Sequence, residues 1–322
     1  MKILVTGTTG FIGSQLAPLL SNMEHDVYGL ERYVSGRYRP DTQKLFKTVF
    51  ANLNDHFAVR NIIRDLRPEA IIHLAALTPV AYSYDRPQEL METNFLATIN
   101  LAESAMRNDD NLRQFIFAGT SECYGNQTEF PIKEDARFYP NSPYGVSKVA
   151  AVKYLRYMCD AYHFPVTIIF PFNTYGNVMR THFVVEKILS QMLNGEKEVR
   201  LGDPEPVRDF VYSTDHVNGY VMALGNKEAI GETFNICTGE GIKIKDLAQK
   251  CAEMTDYQGD VVWGTIPARP LDIMTLIGDN TKASKILGWK PLVGLDEGLK
   301  LTIKQLKEEK TGWLKERERH GS

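Results

Sequence analysis

The first thirteen residues restrict the fold more than any other part of the sequence. Met1-Lys2-Ile3-Leu4-Val5 reads as a short apolar strand, and Gly7-Thr8-Thr9-Gly10-Phe11-Ile12-Gly13 follows it directly. A helix through Leu16-Ala17-Pro18-Leu19-Leu20 comes next. Glycines without side chains let the backbone turn tightly from strand to helix and approach a pyrophosphate closely. The helix then offers unpaired N–H groups and its positive dipole end to that anion. A glycine-rich septet is weak evidence by itself. After a strand and before a helix it predicts a dinucleotide site with Gly7, Gly10, Phe11, Ile12 and Gly13 as contacts.

The alternation continues through the first half. Residues 26–30, 70–74, 114–118 and 166–170 read as strands, and 59–66, 91–106 and 143–162 as helices. Strand–helix–strand repetition implies parallel pairing, hence an α/β fold with a Rossmann-type doubly wound parallel sheet. The second half is less regular. Helical patterns cover 184–193, 217–224, 244–254 and 295–306, short strands lie near 199–201, 233–236 and 261–263, and loops at 202–206 and 267–270 break the pattern. We divide the chain into a dinucleotide-binding domain over 1–172, to which 208–238 returns, and a smaller C-terminal α/β substrate-binding domain over 173–207 and 239–322.

The second strand runs into Glu31-Arg32, about 20 residues past the glycine turn, where such folds keep a ribose reader. Glu31 accepting from ribose hydroxyls favours NAD. Arg32, with Arg37 nearby, pairing with a 2′-phosphate favours NADP. The expected cofactor is NAD, with NADP open, and Asn52, Leu53, Leu74, Ala75 and Ala76 are further expected contacts.

Tyr144-Gly145-Val146-Ser147-Lys148 lies near the start of a predicted helix, and residues four apart share a helix face. A lysine ammonium beside Tyr144 favours its phenolate, and so does a positive nicotinamide ring. The phenol pKa is therefore expected to fall from about 10. Tyr144 can then take a proton from a substrate hydroxyl while hydride leaves for the cofactor. Lys148 is assigned to the cofactor as well.

Composition narrows the remaining classes. A net charge of −3 gives no electrostatic case for nucleic acid, although a local arginine cluster can bind a diphosphate on an acidic protein. Cys123, Cys159, Cys237 and Cys251 form no C-x-x-C pair and no zinc-finger spacing, so no metal is expected and they read as free thiols of a reducing compartment. No signal-peptide pattern or bilayer-length apolar run appears, and the chain reads as cytoplasmic, with no membrane partner. The Lys- and Glu-rich stretch from Lys304 reads as a solvated helix end.

Several segments now point to a family. Thr6-Gly7-x-x-Gly10-Phe11-Ile12-Gly13, His73-Leu74-Ala75-Ala76, Ser142-Pro143-Tyr144-x-x-x-Lys148 and Pro171-Phe172-Asn173-Thr174-Tyr175-Gly176 resemble the extended short-chain dehydrogenase/reductase family of nucleotide-sugar enzymes. Arg208-Asp209-Phe210-Val211-Tyr212 and Leu287-Gly288-Trp289-Lys290-Pro291 extend the resemblance over nearly the whole chain, in order. One departure is Phe170, where many members carry arginine. Thr120-Ser121-Glu122-Cys123-Tyr124-Gly125 follows a strand, so it faces the ligand crevice. Thr120 can hydrogen-bond the reacting hydroxyl beside Tyr144. Glu122 most resembles the glutamate of GDP-mannose 4,6-dehydratases. Some UDP-N-acetylhexosamine dehydratases and UDP-glucuronate decarboxylases share it, whereas similar epimerases usually have small uncharged residues here.

The resemblance also places Asn173, Arg208 and Arg269 at a diphosphate and Thr78, Ser83 and Ser121 near the sugar. Each arginine equally fits a surface salt bridge, and Asn173 a packing role. His73 fits a packed histidine better than a ligand. Leu101, Tyr154, Leu155 and Met158 read as core, while the resemblance pairs the helices near 91–106 and 143–162 across a homodimer. The expected function is NAD(P)-dependent 4,6-dehydration of a nucleotide-diphosphate sugar to a 4-keto-6-deoxy sugar. It would proceed by C4 oxidation, C5/C6 water elimination and hydride return, with Thr120, Glu122, Tyr144 and Lys148 catalytic. A 4-epimerase, in which Glu122 has no chemical work, is the alternative, and a decarboxylase comes third. A non-catalytic dinucleotide-binding regulator is the alternative of another class, with no reason to keep Tyr144 and Lys148 together.

Overall fold

The computed structural model describes residues 1–32, 45–108, 110–176, 183–267 and 269–320, with the backbone alone over 310–320. Seven parallel strands form the main sheet: β1 (Lys2–Thr6), β2 (Asp26–Glu31), β3 (Lys47–Phe50), β4 (Ala70–His73), β5 (Gln114–Ala118), β6 (Val166–Pro171) and β7 (Thr233–Ile236). Their order is β3-β2-β1-β4-β5-β6-β7, every pairing parallel. The order reverses between β1 and β4, and open α/β sheets bind ligands outside the strand ends at such a switch point. The doubly wound parallel sheet expected from the alternation is therefore present.

Central strands covered on both faces must be apolar throughout. Ile3-Leu4-Val5, Ala70-Ile71-Ile72, Phe115-Ile116-Phe117 and Ile168-Ile169-Phe170 are all fully buried. Each such Leu, Ile, Val or Phe contributes roughly 1.5–3 kcal/mol by leaving water. The edge strand β3 is half-exposed and starts on a lysine, which explains why the apolar pattern did not reveal it.

Helices α1 (Gly13–Asn22), α2 (His56–Leu66), α3 (Ala97–Asn108) and α4 (Pro143–Tyr162) accompany the sheet. Asp55 caps α2 by accepting from the Ala58 N–H at 3.0 Å, and Ser142 caps α4 by accepting from the Gly145 N–H at 3.1 Å. The helical pattern over 91–106 contains a π-helical stretch, Met91–Leu96, before α3 begins. Helix α6 (Ser213–Ala223) starts four residues before its expected position because its first turn, Ser213-Thr214-Asp215-His216, is polar and hides the apolar period.

A second core is assembled from α5 (Val184–Leu193), α7 (Ile244–Thr255) and α8 (Leu295–His320). Tyr175, Ile188, Leu189, Val199, Leu247 and Leu299 lie at its centre. Its strands are two or three residues long: Asn173–Tyr175 beside Phe210–Tyr212, Glu198–Arg200 beside Asp260–Val262, and Val207–Arg208 between Ile242–Lys243 and Thr275–Leu276. Among the described residues no helix is long and apolar enough to cross a membrane, and no group of three or more His, Cys, Asp or Glu is placed to hold a metal.

Candidate active site

The glycine turn lies on the switch point. Gly7 has φ +75°, and a Cβ there would sit 2.8 Å from the Ala75 nitrogen, so the turn and the segment after β4 touch backbone to backbone. A Cβ on Gly13 would overlap the Gly7 carbonyl. Helix α1 begins without a side-chain cap and without an acidic residue in its first turn. The positive end of a helix that starts in this way suits a dinucleotide pyrophosphate. Phe11 and Ile12 are half-buried at that entrance.

Glu31 closes the other end of this crevice. It is buried and accepts from the Thr8 hydroxyl at 2.8 Å. Burial raises its carboxyl above the usual range, and the Thr8 bond offsets part of that rise. Arg32 is exposed beyond it, and Arg37 lies outside the described residues. Asn52 and Leu53 follow β3, whose end is tied to Glu31 by the Ala51 N–H donating to the Glu31 carbonyl at 2.8 Å. Asn52 is exposed, whereas Leu53 is packed into the core. Leu74, Ala75 and Ala76 leave β4 half-buried against the glycine turn.

Beyond β5 the reacting groups converge. Thr120 is buried and hydrogen-bonds the Tyr144 phenol. Lys148, four residues along α4, is buried and donates to the Ala118 carbonyl at 2.8 Å, its Nζ 4.7 Å from the Phe117 ring centre. Burial pulls the Lys148 ammonium down to about 8. Gly145 lets the start of α4 lie against the Thr120–Cys123 turn, since a Cβ there would sit 3.2 Å from the Glu122 carbonyl. The expected fall in the Tyr144 pKa does not come from the chain's own groups. Burial raises the phenol above its ordinary value, and the Thr120 bond lowers it only in part. Phe170, the departure from the family pattern, is fully buried. It meets Tyr124 at 5.3 Å and Phe138 at 5.7 Å edge to face, and occupies the space that a side chain on Gly119 would need.

Glu122 is partly buried, and burial raises its carboxyl while the Arg208 and Arg269 guanidiniums oppose the rise. Arg208 is buried, donates to the Val207 carbonyl at 3.0 Å and stands 3.5 Å from Asp272. Arg269 is 3.8 Å from the same carboxylate oxygen. Among the described residues the Asn173 side-chain carbonyl is buried without a hydrogen-bond partner. Thr78 is exposed in the loop after β4. The Ser83 hydroxyl is buried and donates to the Val80 carbonyl of its own helix at 2.6 Å, and Ser121 is buried inside the turn after Thr120.

The sequence reading passed over Tyr84 and Asp272. Tyr84 is half-buried and donates to the Asn141 carbonyl at 3.0 Å, and its phenol feels the charges of Arg269, Asp272 and Glu122. The Arg269-x-x-Asp272 spacing was the available signal for the second. His73 is a packed histidine, as expected: burial pushes it down to about 3, and both ring nitrogens are bonded inside the fold.

The geometry can be compared with known proteins. A family model described as GDP-mannose 4,6 dehydratase matches residues 4–302. A UDP-glucose 4-epimerase from Mycolicibacterium smegmatis is 32% identical over 311 residues, covering 94% of this chain and 97% of that protein. The crystal structure of a UDP-glucose 4-epimerase from Thermotoga maritima with UDP-glucose superposes with a TM-score of 0.88 at 33% identity, covering 96% of this chain and 99% of that one. A Thermus thermophilus UDP-glucose 4-epimerase in complex with NAD gives 0.86 at 28% identity, covering 95% and 99%.

Proposed function

The chain belongs to the family of the GDP-mannose 4,6 dehydratase model, and from that premise we propose that it is an NAD-dependent nucleotide-sugar 4-epimerase acting on a UDP-hexose. The observation that carries the reading is the buried Thr120–Tyr144–Lys148 cluster at the sheet's C-terminal edge, in a chain similar throughout to UDP-glucose 4-epimerases. This is the alternative left by the sequence; dehydration becomes the second reading.

Bound NAD supplies the acceptor and donor of hydride. The glycine turn and the uncapped start of α1 hold its pyrophosphate. Glu31 accepts from the adenosine ribose hydroxyls, and its buried carboxylate disfavours a 2′-phosphate. Tyr144 Oη takes the proton of the sugar C4 hydroxyl and later returns one, while Thr120 Oγ1 holds the phenol in place. Lys148 lies on the Tyr144 face of α4, where its ammonium, brought down by burial, would hold the cofactor ribose. Arg208 and Arg269 would pair with the nucleotide diphosphate, and the Asn173 carbonyl, an acceptor, would take a hydrogen bond from a donor elsewhere on the substrate. The substrate-binding domain is the unit around the second core. The pairing surface of a homodimer is the exposed side of the helical stretch ending in α3 and of α4, where Leu96, Val146, Tyr157 and Tyr162 are exposed.

The second reading rests on Glu122. A partly buried carboxyl with a raised pKa in the same crevice suits a base for a C5 proton, which dehydration requires and epimerisation does not. Incubation with NAD and either UDP-glucose or GDP-mannose separates the readings. Epimerisation yields an isobaric C4 epimer of UDP-glucose, whereas a product lighter by one water establishes dehydration instead.

A further inference from the structure

A buried hydrogen-bonded chain runs from the glycine turn to the catalytic helix, and its proton positions can be assigned link by link. The Ala75 N–H donates to Thr6 Oγ1 at 3.1 Å. That oxygen lies 2.7 Å from His73 Nδ1, and His73 Nε2 lies 2.9 Å from Thr98 Oγ1. The Thr98 hydroxyl donates to the Asn94 carbonyl at 2.8 Å. A hydroxyl has one proton. Since Thr98 spends its proton on Asn94, it must accept from His73 Nε2–H. His73 Nδ1 is then the acceptor, and Thr6 donates to it. Only the neutral Nε2–H tautomer satisfies every link, and all four of Thr6, His73, Asn94 and Thr98 are buried.

The chain continues through the Asn94 side chain, in the π-helical stretch that precedes α3. Asn94 Oδ1 accepts from the Leu77 N–H at 2.8 Å, and its Nδ2 donates to the Leu77 carbonyl at 3.0 Å and to Ser147 Oγ at 3.1 Å. The Ser147 hydroxyl donates to the Tyr144 carbonyl at 2.7 Å. Buried polar networks of this kind specify geometry when every member is satisfied.

We infer that His73 is a positioning residue: fixed as its Nε2–H tautomer, it locks the entry of the glycine turn at Thr6 to the helix carrying Asn94, and through Asn94 and Ser147 to Tyr144. The cofactor cradle and the proton-transferring phenol are thereby held in one register. The inference rests on the reading that the glycine turn holds a dinucleotide. The positive charge of Lys148 nearby further disfavours a second proton on the ring.

Thr98 is the informative position to change, because it borders neither the glycine turn nor Tyr144 directly. Thr98→Val keeps the shape and removes the acceptor of His73 Nε2–H. The ring then gains by moving its proton to Nδ1, which turns Thr6 from donor to acceptor and disturbs Ala75. We expect NAD affinity measured by calorimetry to fall about tenfold, and kcat to fall with it. Thr98→Ser restores the acceptor and should restore both. Nitrogen-15 NMR of histidine-labelled wild-type protein should give a protonated Nε2 and an unprotonated Nδ1 for His73, reversed in Thr98→Val. A wild-type ring protonated at Nδ1, or a Thr98→Val protein that binds NAD and turns over like wild type, overturns the inference. A wild-type protein that binds no NAD at all would instead sink the dinucleotide reading, and this one with it.

Discussion

The two halves of the molecule fix their ligand-facing groups by different means. Around the glycine turn the constraints are steric and backbone-borne: Gly7 lies against Ala75, and Gly13 has no room for a methyl group above the Gly7 carbonyl. Where the returning segment at Arg208 meets the smaller half they are ionic and side-chain-borne, since Arg208 and Arg269 converge on the single carboxylate of Asp272 across 3.5 and 3.8 Å. A steric cradle accepts one shape of cofactor. A set of paired charges can re-pair with a ligand, and its strength depends on geometry and solvent exposure. The contrast suits a protein that uses one dinucleotide throughout a family whose nucleotide sugars differ.

The largest effect should come from the group that serves neither half. Tyr144→Phe removes the proton carrier and leaves both cradles intact, so turnover should drop by about 10²–10⁴-fold while calorimetric NAD affinity stays near wild type. Retained turnover would mean that Tyr144 is not the acid–base group. Gly13→Ala should strike the steric half. Overpacking costs roughly 1–3 kcal/mol, seen as a lower melting temperature and weakened NAD binding, with affinity for free UDP little changed. If NAD binding survives that methyl group, the cradle is softer than the geometry implies.

Arg208→Ala should strike the ionic half, raising KM for the nucleotide sugar about tenfold with NAD affinity unchanged, because a charge-assisted bond to a buried group is lost. Arg269→Ala should cost less, since Arg269 is exposed and water screens it. Equal losses at the two arginines would contradict that difference. The smallest change is expected at Glu122. Epimerisation needs no base there, so Glu122→Gln should leave turnover within about threefold of wild type, far short of the loss that removing a general base brings. Its pH signature has a definite sign. Burial raises this carboxyl, so the folded protein holds the proton more tightly than the unfolded chain. The resulting destabilisation is absent below the unfolded pKa and grows as pH rises through the folded one. Glu122→Gln should therefore raise the melting temperature at neutral pH and leave it unchanged in acid, since burial outweighs the opposing pull of Arg208 and Arg269.

The contrast between the halves also explains what could be read without a structure. Strands β1, β4, β5 and β6 announce themselves because each carries an apolar run, and α4 because Ser142 and Pro143 mark its start. The strands of the smaller half, such as Val207–Arg208 and Thr275–Leu276, are two residues long and have no period to detect. Among site residues, the glycines and the Thr120–Tyr144–Lys148 group were legible because motif spacing encodes them. The Ser83 hydroxyl's bond to the Val80 carbonyl, inside its own helical turn, is a local contact that motif spacing does not encode. Tyr84 was missed because its nearness to Arg269 joins distant parts of the chain, whereas the local Arg269-x-x-Asp272 spacing was legible and was passed over. Glu122 misled the reading of the reaction: its presence fits dehydration, while the similarity of the whole chain favours epimerases.

That tension has a direct test. The protein, loaded with NAD, is incubated with UDP-glucose in deuterium oxide, and the nucleotide sugar is analysed by mass spectrometry and proton NMR. Epimerisation through Tyr144 breaks only the C4–H and C4 O–H bonds, so the C4 epimer should appear with no deuterium at C5 and no change in carbon-bound mass. Deuterium at C5, or a product that has lost water, would mean that a base such as Glu122 removes the C5 proton, and would contradict the account.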